Sequence, residues 1–205
     1  MLEWLNSVDT QLFYWVNSHH CIGLDWFLWI FTTHLSWFAV LVLFFVLVTL
    51  RREPRQWWVV LLGIALCFLL SDRISVLCFK DVFCRLRPCH ALENVRMFRL
   101  GCGGQYGFVS SHASNSFALS LFLALRYRPS RCQIPYDNSN GIVYNKKMSW
   151  LAPASILIWA FVTSYSRVYL GKHYPGDILC GALLGIIIGS SVYLLLQKIP
   201  FLKKQ

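Results

Sequence analysis

The sequence predicts an all-α fold: a polytopic membrane bundle of about five transmembrane helices, preceded by an N-terminal amphipathic helix lying in the interface. Three observations carry that class. Of the 205 residues 57% are apolar and only 14% charged. The apolar residues gather into runs near the length of about 20 that crosses a bilayer. The charges bracket those runs more than they enter them. The net charge of +10 does not signal nucleic acid, because a soluble domain of that kind needs more charge to cover its surface, and a disordered basic tail would not be 16% aromatic. At this length the chain reads as one domain, residues 1–205.

Taken in order, residues 1–24 place Leu2, Leu5, Leu12, Trp15 and Val16 at near-helical spacing among Glu3, Asn6, Asp9 and Asn17. This is the interfacial helix, and residues 25–205 form the bundle. A secretory signal is not expected, because the first basic residue is Arg51. The first span is the uncharged stretch from Asp25 to Arg51, and the second runs from Trp57 to Phe79, broken only by Asp72 and Arg73. That pair is either structural or tunes a site, since charges inside a membrane are functional candidates by default. The third span, Ala113–Leu125, is short; the fourth and fifth are Met148–Ser166 and Ile178–Gln197. Gly181, Gly185 and Gly189 recur every fourth residue, a face on which another helix can approach closely. Residues 126–147, with Pro129, Pro135 and Gly141, form a polar loop.

Five spans sort the cations into two groups. Arg51, Arg52, Arg55, Arg126, Arg128, Arg131, Lys146, Lys147, Lys198, Lys203 and Lys204 share one side; Arg73, Lys80, Arg85, Arg87, Arg96, Arg99, Arg167 and Lys172 share the other. The positive-inside rule puts the first group in the cytoplasm, so the second faces the extracytoplasmic side of a cell (inner) membrane.

The second group gathers chemistry. Lys80 and Arg87 lie seven residues apart, sharing a face if the helix continues, and Pro88 discourages continuation. Ser110, Ser111 and His112 precede the third span, where free backbone N–H groups favour an anion. Arg167 closes the fourth span. Pro175 suits the first turn of the fifth, which leaves His173 just outside it and Asp177 inside, near enough to orient the imidazole. Three cations, a helix N-terminus, two histidines and an aspartate suit a phosphate-like group.

Lys80-x6-Arg87-Pro88, Ser110-Ser111-His112 and Ser166-Arg167-x5-His173-x3-Asp177 resemble the tripartite motif of the type 2 phosphatidic acid phosphatase superfamily, which includes vanadium haloperoxidases. The middle motif reads Val109-Ser110-Ser111-His112 where the family usually has Pro-Ser-Gly-His. The resemblance implies catalytic roles for His173 as nucleophile, Asp177 as its orienting carboxylate and His112 as acid and later base. It implies that Lys80, Arg87, Ser110, Ser111 and Arg167 bind the phosphate. Such a protein is a metal-independent, cofactor-free hydrolase of a lipid phosphate or diphosphate: a polyprenyl diphosphate, phosphatidic acid or phosphatidylglycerol phosphate, or a lipid A type phosphate. The alternatives are a lipid phosphotransferase in the same fold, or a non-enzymatic phosphate-lipid binder or transporter. The partners expected are the lipid substrate and membrane lipids, with no nucleic acid and no obligate protein.

Arg85 falls elsewhere on a continuing helix and reads as a lipid headgroup contact. His19, His20, His34 and His90 show no ligand spacing, so no metal site is expected. The run Gly101, Gly103, Gly104 and Gly107 reads as a flexible turn. Cys89 and Cys102 share the outer loop and are expected to pair, tying Pro88 to that turn.

Overall fold

The structure, a computed structural model, describes residues 2–52, 55–99, 101–128 and 150–199. Nearly all of the polar 126–147 loop, Arg131, Lys146, Lys147, Lys203, Lys204 and Met148 lie outside the described residues. The helices are α1 (Leu2–Ser18), α2 (Ile22–Phe31), α3 (His34–Phe44, running on through a π-helical turn at Phe45–Thr49), α4 (Trp57–Phe83), the short α5 (Pro88–Ala91), α6 (Ser111–Arg126), α7 (Leu151–Tyr169) and α8 (Pro175–Lys198).

The bundle is built around α6, which packs on α8, α7 and α4. Its residues Ser114, Asn115, Ser116 and Ser120 are buried, while Leu179, Leu183, Ile187 and Leu194 of α8 face outward. That is the inverse of a soluble protein and what a lipid solvent selects: apolar side chains outside, small and hydrogen-bonding ones between helices. Ser71 and Ser114 share a 2.5 Å hydrogen bond between α4 and α6, and Ser120 donates to the Ile156 carbonyl at 2.7 Å. The glycine face of α8 lies on α6 as expected. A Cβ on Gly181 would come within 2.7 Å of the Ser110 carbonyl oxygen, and Cβ atoms on Gly185 and Gly189 would run into the carbonyls of Ser114 and Ala118.

Two features of the spans differ in detail from the sequence reading. The stretch from Asp25 to Arg51 is not one straight span: α2 and α3 meet at a 63° bend at Thr32 and Thr33, where Thr33 caps α3 by accepting from the Ser36 N–H. The count of five spans is also not reached among the described residues. Three helices are long and apolar enough to cross a membrane, α4, α7 and α8, or four if the bent pair is one span. The expected third span is α6, only 16 residues long and sheathed by its neighbours, so it needs no lipid-facing surface.

Helix α1 is shorter than expected and has two faces. Leu5, Leu12 and Trp15 point outward with Trp4, while Phe13 is fully buried with Val168 and Tyr174. Asn17 fastens its end, donating to the carbonyls of Arg96 (3.0 Å) and Tyr169 (2.9 Å) and accepting from the Arg96 N–H. Arg96 in turn pairs with Asp25 at the start of α2, which also accepts from the Tyr169 hydroxyl at 2.9 Å. One polar knot therefore joins α1, α2, the loop after α5 and the end of α7.

Candidate active site

All three segments singled out in the sequence come to one end of the bundle, each held by local chemistry. Near the end of α4, residues Ser75–Lys80 form a π-helical turn. In a π turn residue i+5 stacks over i, so Ser75 and Lys80 point the same way. Both reach the Ser111 hydroxyl, each at 2.7 Å. Helix α4 then stops: Cys84 takes the left-handed conformation, φ 47°, and the chain continues through a short irregular segment with one β-bridge. Lys80 and Arg87 do converge, but this break brings them together and not the shared face of a continuing helix. The Arg87 N–H donates to the Gln105 carbonyl (3.1 Å) and the Gly107 N–H to the Arg85 carbonyl (2.8 Å), making an antiparallel ribbon of residues 85–87 and 105–107. The Cys89–Cys102 disulfide closes the ribbon, its Cα atoms 5.9 Å apart. His90 stands beside those sulfurs, whose bond leaves no thiolate to ligate a metal.

The glycine turn is more than a flexible link. A Cβ on Gly107 would sit 3.2 Å from both Arg87 Cγ and an Asp177 carboxylate oxygen. A side chain there would have to push Arg87 or the aspartate aside by a few tenths of an ångström.

Ser110 caps α6, its Oγ accepting from the Ala113 N–H, and its own N–H donates to the Asp177 carbonyl at 3.1 Å. The middle segment is thereby fixed directly to α8. Where the family usually has glycine, Ser111 supplies the hydroxyl that Lys80 and Ser75 grip. His112 lies in the first turn of α6, its ring edge-on to Trp37 with centroids 5.7 Å apart.

Tyr169 ends α7, and the Lys172 and His173 N–H groups both donate to the Arg167 carbonyl, folding the short connection back on itself. Pro175 opens α8 and Asp177 caps it, its Oδ2 accepting from the Tyr174 N–H at 3.0 Å. His173 Nδ1 lies 3.4 Å from that same Oδ2. Its Nε2 lies 2.9 Å from Arg87 Nη1. A guanidinium can only donate, so Nε2 must carry the lone pair and the ring proton belongs on Nδ1, which lies beside the Asp177 carboxylate without a hydrogen bond to it. Burial first, then the charges of Arg87, Arg167 and Lys80, hold His173 well below the usual imidazole range. It is a neutral imidazole with its lone pair turned toward the cations.

Arg167 is 4% exposed and bonds the hydroxyl of Thr32, which the bend between α2 and α3 delivers. Its Nε–H and that of Arg87 are buried without acceptors among the described residues. Three residues that sequence reasoning passed over complete the site. Thr32 positions Arg167. Lys172 is 8% exposed, lies near Arg167 and Arg87, and its ammonium has no hydrogen-bond or ion-pair partner among the described residues. Burial and then those two cations push its ammonium down to about 8. Arg85 is not a headgroup contact: leaving the helix at Cys84, it donates to Asp177 Oδ1 at 2.8 Å and to Asp9 Oδ2 at 2.7 Å. The pattern signal for Lys172 was its place beside a nucleophile candidate; Arg85 and Thr32 left none, because a helix end and a bend place them.

Lys80, Arg87 and Arg167 thus surround His173, with Lys172 near the two arginines, while Asp177 is already engaged by Arg85. Cations and orphaned donors buried at such density require an anion.

The PAP2 superfamily model matches residues 56–200. The lipid A 4'-phosphatase of Bacteroides thetaiotaomicron is 31% identical over 97% of this chain and 81% of its own length. That of Porphyromonas gingivalis is 27% identical over 94% of this chain and 74% of its own. The crystal structure of the first transmembrane PAP2 type phosphatidylglycerolphosphate phosphatase from Bacillus subtilis superposes with a TM-score of 0.67 over 95% of this chain and 87% of that one, at 18% identity, a likeness of fold. With the three motif segments meeting around one buried histidine and the family match spanning most of the bundle, this membrane protein belongs to the PAP2 superfamily.

Proposed function

We propose that the protein is an integral-membrane hydrolase that removes phosphate from a lipid A type glycolipid at the extracytoplasmic face of the inner membrane, through a phosphohistidine on His173. The observation that supports the chemistry is the state of His173: neutral, beside the Asp177 carboxylate, its lone pair aimed at Arg87 in a pocket of cations. The substrate class rests on the two curated relatives, both named lipid A 4'-phosphatase and both aligned over nearly the whole chain.

In the first step Nε2 of His173 attacks phosphorus, forming the N–P bond as the bond to the lipid oxygen breaks, and His112 protonates that oxygen. In the second His112 takes a proton from water, whose oxygen attacks phosphorus and releases inorganic phosphate and neutral His173. Arg87, Arg167, Lys80 and the N-terminus of α6 neutralise the nonbridging oxygens, with Ser110 and Ser111 beside them. Positioning and charge are the main demands of phosphoryl transfer, and these cations meet them, so turnover is metal-independent. Loss of turnover with a chelator, restored by magnesium, would contradict that. A site at the bundle end lets a lipid enter sideways with its chains in the bilayer. The sidedness rests on Arg51, Arg55, Arg126, Arg128 and Lys198 lying toward the opposite ends of their spans; a reporter fused after Lys204 that worked only outside the cytoplasm would contradict it.

The test is phosphate release by purified protein from a lipid A type 4'-phosphate, phosphatidylglycerol phosphate, phosphatidic acid and a polyprenyl diphosphate, with His173→Ala as control. Release is expected to be fastest from the glycolipid and absent in the variant. Equal release by the variant overturns the nucleophile, and a faster rate on another lipid overturns the substrate class.

A further inference from the structure

The amphipathic helix α1 reaches the catalytic pair through one side chain. Asp9, 13% exposed at its carboxylate, accepts from Arg85 Nη2 at 2.7 Å through Oδ2 and from the Gly176 N–H at 2.7 Å through Oδ1. Arg85, also held by Asn6 Oδ1 at 3.0 Å and stacked 4.1 Å over the Tyr174 ring, passes its other nitrogen to Asp177 Oδ1. Asp177 faces His173. Four side chains therefore run in series from α1 to the nucleophile: Asp9, Arg85, Asp177, His173. The fit at Asp9 is close, for a Cβ on Gly176 would lie 2.8 Å from Asp9 Oδ2. Phe13, one turn along α1 and packed at a tilt against Tyr174 with ring centroids 5.7 Å apart, holds the helix at this depth.

From this chain of contacts we propose that Asp9 is a positioning residue for the reaction, acting through Arg85 on Asp177. An arginine bonded to Asp177 alone would draw the carboxylate's charge toward itself and away from the imidazole. With a second carboxylate on its other edge, Arg85 is shared, and Asp177 keeps enough charge to stabilise His173 as it becomes cationic on bonding to phosphorus. Asp9 also holds the first turn of α8 by the Gly176 N–H, so it fixes both the charge and the place of Asp177. The membrane-surface helix is thereby part of the catalytic apparatus, and a lipid or detergent that lifts it would slow the enzyme.

This inference rests on His173 being the nucleophile, and the experiment separates the two. Wild type, Asp9→Asn, Asp9→Glu, Gly176→Ala, His173→Ala and Glu3→Gln, an exposed control on the same helix, are compared on one phosphorylated lipid in detergent micelles. Asp9→Asn is expected to lower kcat about tenfold with KM within about twofold, because α1 acts on Asp177 through Arg85 and touches none of the phosphate cations. The groups facing His173 are Arg87, Arg167, Lys80 and Asp177, with Lys172 adjacent and Arg85 behind Asp177. Removing the Asp9 charge leaves Arg85 uncompensated, so the acid limb of kcat/KM moves to lower pH. Asp9→Glu restores at least half of kcat. Gly176→Ala pushes the carboxylate aside without changing charge and lowers kcat with the limb in place. Wild-type kcat and pH profile in folded Asp9→Asn overturns the proposal. If that variant does not fold, wild-type kcat in Gly176→Ala overturns it. Activity in His173→Ala overturns the nucleophile and this inference with it.

Discussion

Lys172 gives the sharpest pH test of the cation pocket. Its ammonium, pushed down to about 8 by burial and by Arg167 and Arg87, titrates within the working range of an assay. At that value it is about 90% charged at pH 7 and about 10% charged at pH 9. If its charge helps hold the phosphate and the uncharged enzyme keeps about a tenth of the rate, kcat/KM, which reports the free enzyme, falls about fivefold between those pH values. A bound phosphate dianion stabilises the ammonium, so the same limb in kcat lies higher, by about one pH unit or more. The Lys172→Met variant lacks the charge throughout: its kcat/KM lies about tenfold below wild type at pH 7, and the two converge above pH 9. The assay is phosphate release from a micellar lipid phosphate, kcat and KM measured every half unit from about pH 6 to 10. Unfolding would not explain the alkaline loss. A lysine whose pKa is lower folded than unfolded binds more protons in the unfolded chain between about 8 and 10.5, so its contribution to stability rises with pH across that window. A Lys172→Met profile that keeps the wild-type alkaline limb at wild-type height would refute the reasoning.

The other predictions concern the scaffold and the tautomer. Arg87→Lys leaves a charge but not the fork that donates to His173 Nε2 while keeping a second N–H free; kcat/KM is expected to fall about a hundredfold, read by steady-state kinetics. Gly185→Ala drives a methyl into the Ser114 carbonyl where α8 crosses α6, costing about 1–3 kcal/mol in a thermal or denaturant unfolding series in detergent. Cys89→Ser opens a loop with a sequence separation of 13 residues, with an expected loss of about 3 kcal/mol and a lower kcat, because the ribbon that carries Arg85 and Arg87 loosens.

What the sequence disclosed followed from periodicity and spacing. The glycines of α8 announced a close helix contact because a four-residue repeat stays on one helical face. His173 and Asp177 could be placed outside and inside the first turn because Pro175 marks the start of a helix. Lys80, Arg87, Ser110, Ser111 and Arg167 were singled out by motif spacing and lie at the same end of the bundle, while their roles toward phosphate rest on the resemblance. What escaped was set by breaks in regular structure. The π turn at Ser75–Lys80 and the left-handed Cys84 re-aim Lys80 and Arg85 in ways no uniform helix predicts, so Arg85 was assigned to lipid when it bonds Asp177. The bend at Thr32 is hidden in an uncharged stretch whose composition is that of a continuous span. The apolar run of α6 does not reveal that its neighbours bury most of it. Asp9 read as the polar face of a surface helix because its partners lie 76 and 167 residues away.

The central claim is that His173 carries the phosphoryl group between lipid and water. Its direct test is rapid-quench labelling of purified enzyme with a lipid phosphate radiolabelled in the phosphate. The account predicts a transient phosphoprotein, stable to base and labile to acid, that maps to His173 and is absent from His173→Ala. A His173→Ala enzyme that still releases phosphate at the wild-type rate, or a label that maps to another residue, would contradict it.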